Sequence, residues 1–159
     1  AIPVAGFPES ELLRLAASLD AGSEHPLAQA IVQEARRRGL ALGKADAFES
    51  GTGLGVRGAV EGRTLALGSA ALMRDLGIPM APLDAEAARL RDEGASVMFM
   101  SADGALAGLI AVADPVKATT AEALASLRRQ GLRIVMATGD AVATARAVAR
   151  ATGIDEVHG

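Results

Sequence analysis

Apolar positions follow helical spacing at the start of the chain and then change period. Leu12, Leu15, Ala16 and Leu19 recur at three- and four-residue steps, which predicts a helix over 7–19 with Pro8, Glu9 and Glu11 in its first turn. Leu27, Ile31 and Ala35 predict a second helix over 26–38, stopped by Gly39. Strand-like runs follow at 55–61, 63–68, 96–101 and 105–113. Glu61-Gly62 and Asp103-Gly104 are tight-turn signals that join these runs as two hairpins. Short helices are expected over 69–76 and 84–93. The first 110 or so residues therefore predict an α+β layout, an antiparallel sheet flanked by helices. Beyond them, a helix over 119–130, a short buried strand over 132–136 and a helix over 142–152 predict a piece of a parallel, doubly wound α/β domain. One such strand cannot form a sheet alone, so this second domain is expected to be truncated.

Composition narrows the classes of function. Half of the 159 residues are hydrophobic, enough for a core, yet there are three Phe and no Tyr or Trp. That scarcity argues against single-stranded nucleic-acid binding, which draws on aromatic stacking platforms. Net charge is −3, and the one basic run, Arg36-Arg37-Arg38, falls near a predicted helix end, where cations complement the dipole. With no Cys there is no disulfide or thiolate metal site. No apolar run reaches membrane-span length and no signal peptide opens the sequence.

Three short patterns could carry chemistry. Gly53-Leu54-Gly55-Val56-Arg57-Gly58 matches G-x-G-x-x-G. A dinucleotide fingerprint needs a helix after the glycines, and here a hairpin follows, so a Rossmann loop is rejected. The glycines suit either a plain turn or a backbone that lies close to a ligand. Ser23-Glu24-His25-Pro26 opens the second helix, with His25 either a cap or a ring offered to a ligand. Val135-Met136-Ala137-Thr138-Gly139-Asp140 is a strand running into Thr-Gly-Asp before a helix. That edge suits a phosphate or magnesium, or an ordinary helix cap.

The order of these patterns says more than any one of them. Ser-Glu-His-Pro-Leu, Gly-x-Gly, Leu67-Gly68, Asp103-Gly104, Asp114-Pro115-Val116-Lys117 and Met136-x-Thr138-Gly139-Asp140 together resemble the cytoplasmic ATP-binding region of heavy-metal P-type ATPases. Ser-Glu-His-Pro is more similar to the copper branch than to the zinc or cadmium one. The resemblance implies a nucleotide-binding domain over 1–111 and part of a haloacid-dehalogenase-like phosphorylation domain over 112–159. It implies that Glu24 and His25 contact the adenine end of ATP, and that Gly53, Gly55 and Val56 shape the cleft. Thr138 and Asp140 would support the phosphate and magnesium end, Asp140 through an indirect contact with Mg2+. Gly68 matches the family's Gly-Asn, but Ser69 stands where the Asn would be, and Ala141 replaces the Asn after Thr-Gly-Asp.

The family's phosphorylated aspartate, in Asp-Lys-Thr-Gly-Thr, and its Gly-Asp-Gly-x-Asn-Asp magnesium motif do not occur in this sequence. The chain is accordingly expected to hold ATP without turning it over, with no catalytic residue and no metal ligand set of its own. Implied partners are ATP and the remaining phosphorylation, actuator and transmembrane domains, with no nucleic acid and no direct membrane contact. The implied location is the cytoplasmic side of an integral protein of a bacterial inner membrane. Two rivals from the residues alone are a soluble haloacid-dehalogenase-like phosphatase and a non-catalytic module that binds a protein through its Ala-rich helices.

Overall fold

A computed structural model describes residues 1–51, 53–113, 119–137 and 142–158. In chain order the elements are β1 (Ile2–Pro3), α1 (Glu9–Asp20), α2 (Pro26–Arg37), β2 (Ala45–Gly51), β3 (Gly55–Val60), β4 (Arg63–Gly68), α3 (Ala70–Asp75), α4 (Asp84–Asp92), β5 (Ser96–Ala102), β6 (Ala105–Val112), α5 (Thr120–Arg129), β7 (Val135–Ala137), α6 (Val142–Thr152) and β8 (Glu156–His158). The chain divides into two compact units, Ala1–Ala87 with Val97–Val112, and Ala88–Ser96 with Ala113–Gly159.

The first unit holds a six-stranded sheet in the order β1-β6-β5-β4-β3-β2. The antiparallel α+β architecture is the one the residue pattern predicted. Its two hairpin tips turn as expected, because Glu61-Gly62 and Asp103-Gly104 both have positive φ at the two central positions, 52° with 79° in each case. The carboxylate of Asp103 accepts from the Arg63 guanidinium at 2.9 Å and from the Thr64 N–H at 3.0 Å, tying the two tips together.

One face of the sheet is covered by α1. Leu12, Leu15 and Leu19 are fully buried and share a core with Val56, Val60, Leu65, Leu67 and Met100. Burying each leucine contributes roughly 2 kcal/mol. The helix comes this close because the sheet is bare beneath it. A Cβ on Gly58 would lie 2.9 Å from Leu19 Cδ1, and one on Gly108 would run into Leu12. Gly58, the last glycine of the G-x-G-x-x-G pattern, is therefore a packing residue, and it lies within β3 with no helix directly after it, in keeping with the rejection of a Rossmann loop. Ser18 is buried in α1 yet satisfied: its hydroxyl donates to the Arg14 carbonyl at 2.7 Å and accepts the Gly43 N–H at 3.0 Å.

Three strands escaped the pattern reading. β2 is the outer strand, its last six residues are exposed, and its register shifts between Asp46 and Glu49 where Ala47 takes a φ of 50°. A bulged polar edge shows no alternation to read. β1 is two residues long and ends in Pro3, which an edge tolerates. β8 is three residues long and supplies the partner that β7 lacked in the sequence reading.

The second unit contains that parallel pair, with Val135 opposite Glu156 and Ala137 opposite His158. Glu156 is bonded by Arg133 and, at 2.8 Å, by His158 Nε2. Within this unit α5 carries no buried residue among those described, whereas Ala145 and Ala149 of α6 are buried.

Candidate functional site

The loop between α1 and α2 is organised by its polar residues. His25 sits at the N-terminal end of α2 with Pro26 in the first turn. Its Nδ1 accepts the Leu27 N–H at 3.2 Å, and its own N–H donates to Ser23 Oγ at 3.3 Å. The two sequence alternatives for His25 are thus compatible. Capping occupies Nδ1 and leaves Nε2 at the solvent side as a donor in the neutral ring. Both His25 and Glu24 are exposed.

Asp20, the last residue of α1, went unnoticed in the sequence. It is only 5% exposed, and among the described residues its carboxylate accepts no hydrogen bond. Burial pushes this carboxyl up to about 6, with the nearby His25 ring acting in the opposite sense. A largely buried carboxylate whose oxygens still reach solvent can accept from a ligand with an N–H group to donate. Its only sequence signal was an acid closing an apolar helix shortly before His25.

The glycines have separate jobs. Gly53 takes a φ of 72° with open space around it, just before the Leu54 N–H closes onto the Gly51 carbonyl at 3.0 Å. Gly55 and Gly68 face each other as register partners on β3 and β4. A Cβ on Gly68 would meet the Leu54 carbonyl and lie 2.8 Å from Gly55 Cα, and one on Gly55 would meet the Leu67 carbonyl. The pair lets two backbones touch where the strands end. Ser69 follows directly: its N–H donates to the Leu54 carbonyl at 2.7 Å, and its hydroxyl accepts the Leu72 N–H at 3.4 Å as the cap of α3. Ser69 thus keeps the helix-capping function that an Asn would also serve.

Beside these glycines lies an open cleft of about 270 Å³ lined by Glu49, Ser50, Gly51, Leu54, Gly55, Arg57 and Leu72. Val56 points the other way, into the core beneath α1. Glu24 and His25 do not line this cleft. Thr138, Asp140 and Ala141, like Asp114-Pro115-Val116-Lys117, lie outside the described residues. Among the described residues no group of three His, Cys, Asp or Glu side chains is placed to hold a metal ion.

The comparisons with known proteins join these parts. A family model for haloacid dehalogenase-like hydrolases matches residues 4–158. The chain belongs to the haloacid dehalogenase-like hydrolase family. Within that family its relatives are P-type ATPases. It is 54% identical over 150 residues to a copper-transporting P-type ATPase of Rhizobium leguminosarum bv. viciae, a match that takes in 94% of this chain and 18% of that relative. The chain therefore spans about a fifth of the length of such a relative. Its fold is similar to that of a zinc-transporting PIB-type ATPase in the E2.Pi state, with a TM-score of 0.81 and 33% identity, over 99% of this chain and 25% of the other. It is also similar to the N-domain of a copper-transporting P-type ATPase, with a TM-score of 0.60 and 25% identity, over 71% of this chain and 97% of the other. The resemblance read from the ordered motifs is thereby shown, and so is the mixed α/β fold.

Proposed function

We propose that this chain is the ATP-binding region of a copper-translocating P-type ATPase. It would present ATP to an aspartate that is not in this sequence, and would not turn the nucleotide over by itself. Residues 1–111 would form the nucleotide-binding domain and 112–159 part of the phosphorylation domain. The observation that carries the reading is the Asp20–His25 arrangement: a largely buried carboxylate ending α1 and an exposed imidazole opening α2, near enough to interact electrostatically. Adenine offers an exocyclic amine to the first and acceptor nitrogens to the second. The likeness to a whole N-domain, 97% of which is covered, supports the same assignment.

In this reading Asp20, Glu24 and His25 hold the base, and Gly53, Gly55, Gly68 and Ser69 shape the neighbouring glycine-lined wall. Thr138 and Asp140 would serve the phosphate end, and Mg2+ would neutralise charge on the transferring phosphate there. The longer protein would contribute actuator and transmembrane domains, placing this region at the cytoplasmic face of a bacterial inner membrane. No helix among the described residues is long and apolar enough to cross a membrane. Zinc is the second reading for the transported ion, favoured by the likeness to the zinc-transporting structure.

Amide NMR of the chain during ATP titration tests the claim. Shifts are expected over 20–27 and 51–55 at millimolar ATP, with no phosphate released. Unmoved resonances in both stretches would sink the nucleotide reading.

A further inference from the structure

The cleft beside the glycines holds a cation, Arg57, with no ion-pair partner among the described residues. Arg57 on β3 and Glu49 on β2 are register partners, directly opposite each other at the sheet edge. Opposite charges in that relation ordinarily pair across the strands. Here both line the same cleft, and among the described residues neither forms an ion pair. The guanidinium presents donors to an anion, and among the described residues no ion pair must break for one to bind.

The size of the cleft limits what enters it. Whole-ligand pockets run from about 300 to 1,000 Å³, and this one measures about 270 Å³. It therefore takes one end of a nucleotide. The base end is already assigned to Asp20 and His25, neither of which lines the cleft. We infer that Arg57 holds the polyphosphate of the bound nucleotide in this cleft, so that it reads the phosphate chain while Asp20 and His25 read the base. The inference rests on the nucleotide-binding reading and adds a residue to it. Glu49, the cross-strand neighbour of Arg57, sets a repulsive limit on how closely the anion settles.

Calorimetric titration of the whole chain with ATP and with adenosine separates the contributions. Arg57→Ala is expected to weaken ATP binding about five- to tenfold, in line with loss of one solvent-exposed charge-assisted contact. Adenosine binding should be unchanged, and Glu49→Gln should tighten ATP about twofold by removing an opposing charge. The ATP effect of Arg57→Ala should shrink as salt rises. ATP affinity unaltered by Arg57→Ala, or adenosine affinity falling in parallel, would overturn the assignment of Arg57 and leave the nucleotide reading standing. A wild-type chain that binds neither compound would overturn both.

Discussion

α1 in the first unit and α5 in the second have similar lengths and opposite fates. α1 buries eight of its twelve residues, from Leu12 to Asp20. α5 buries none of its described residues. Leu127 of α5 is 38% exposed, and Leu132 and Val135 after it are 52% and 44% exposed. Both helices are amphipathic in sequence, so the pattern alone does not separate them. The difference lies in what each is given to pack on. α1 lies on a sheet of six strands made bare by Gly58 and Gly108. The second unit offers a two-stranded parallel sheet, and parallel sheets gain their stability by being covered on both faces.

The largest expected effect tests that contrast directly. Leu15→Ala should cost about 3 kcal/mol in urea unfolding, because it opens a cavity in a fully buried site. Leu127→Ala should cost less than about 0.5 kcal/mol. Equal costs would break the comparison. Next in size is Gly68→Ala. Its Cβ meets backbone, which cannot swing aside, so a loss of about 2 kcal/mol is expected, together with displaced amide shifts at Gly55.

A smaller effect sharpens the comparison inside the first unit, between its core and its site. The folded chain keeps a proton on Asp20 up to about pH 6, whereas an unfolded Asp loses it near pH 4, at about 3.9. Between those values the folded state binds more protons, so the contribution of Asp20 to stability falls as pH rises and stays unfavourable above pH 6. Asp20→Asn should therefore raise stability at pH 7 by ~1 kcal/mol after solvent screening, with no gain at pH 4. Glu34 acts in the opposite direction. The guanidinium groups of Arg37 and Arg38 hold its carboxyl down at about 2, so its contribution is lost as the solution becomes acid. Melting temperatures of variant and wild type across pH 4–8, taken as a difference, isolate Asp20. A parallel pair of curves would show that Asp20 carries no such strain.

The smallest change in stability should come from His25→Asn. Asparagine keeps an acceptor for the Leu27 N–H and so preserves the cap, leaving the melting temperature nearly unmoved. Loss of the ring should nevertheless weaken ATP binding about tenfold, read by the same titration. Lost stability with intact binding would reduce His25 to its capping role.

Much of the fold was legible along the chain because it rests on local rules. Helical spacing placed α1 and α2, and the two Xaa-Gly turns need positive φ and so marked their hairpins. β2 was illegible, since its polar residues face water on a bulged edge. In the candidate site, His25 stood out because it opens a helix beside Pro26. Asp20 did not, since an Asp at a helix end is ordinary until its burial is known. The G-x-G-x-x-G run shows the same limit. Its spacing is visible, but Gly53 serves a turn, Gly55 a contact with Gly68, and Gly58 the approach of Leu19.

The sequence by itself determined the elements, the turns and, through the order of its motifs, the family. These depend on residues near one another in the chain or on their succession, which a reader of the chain can see. Only the tertiary structure decided that Asp20 is buried near His25, that Gly55 and Gly68 touch, and that Arg57 lines a cleft with no ion-pair partner among the described residues. Each of those facts joins residues on different elements, or depends on solvent being excluded, and neither register nor burial is a property of any one stretch of sequence.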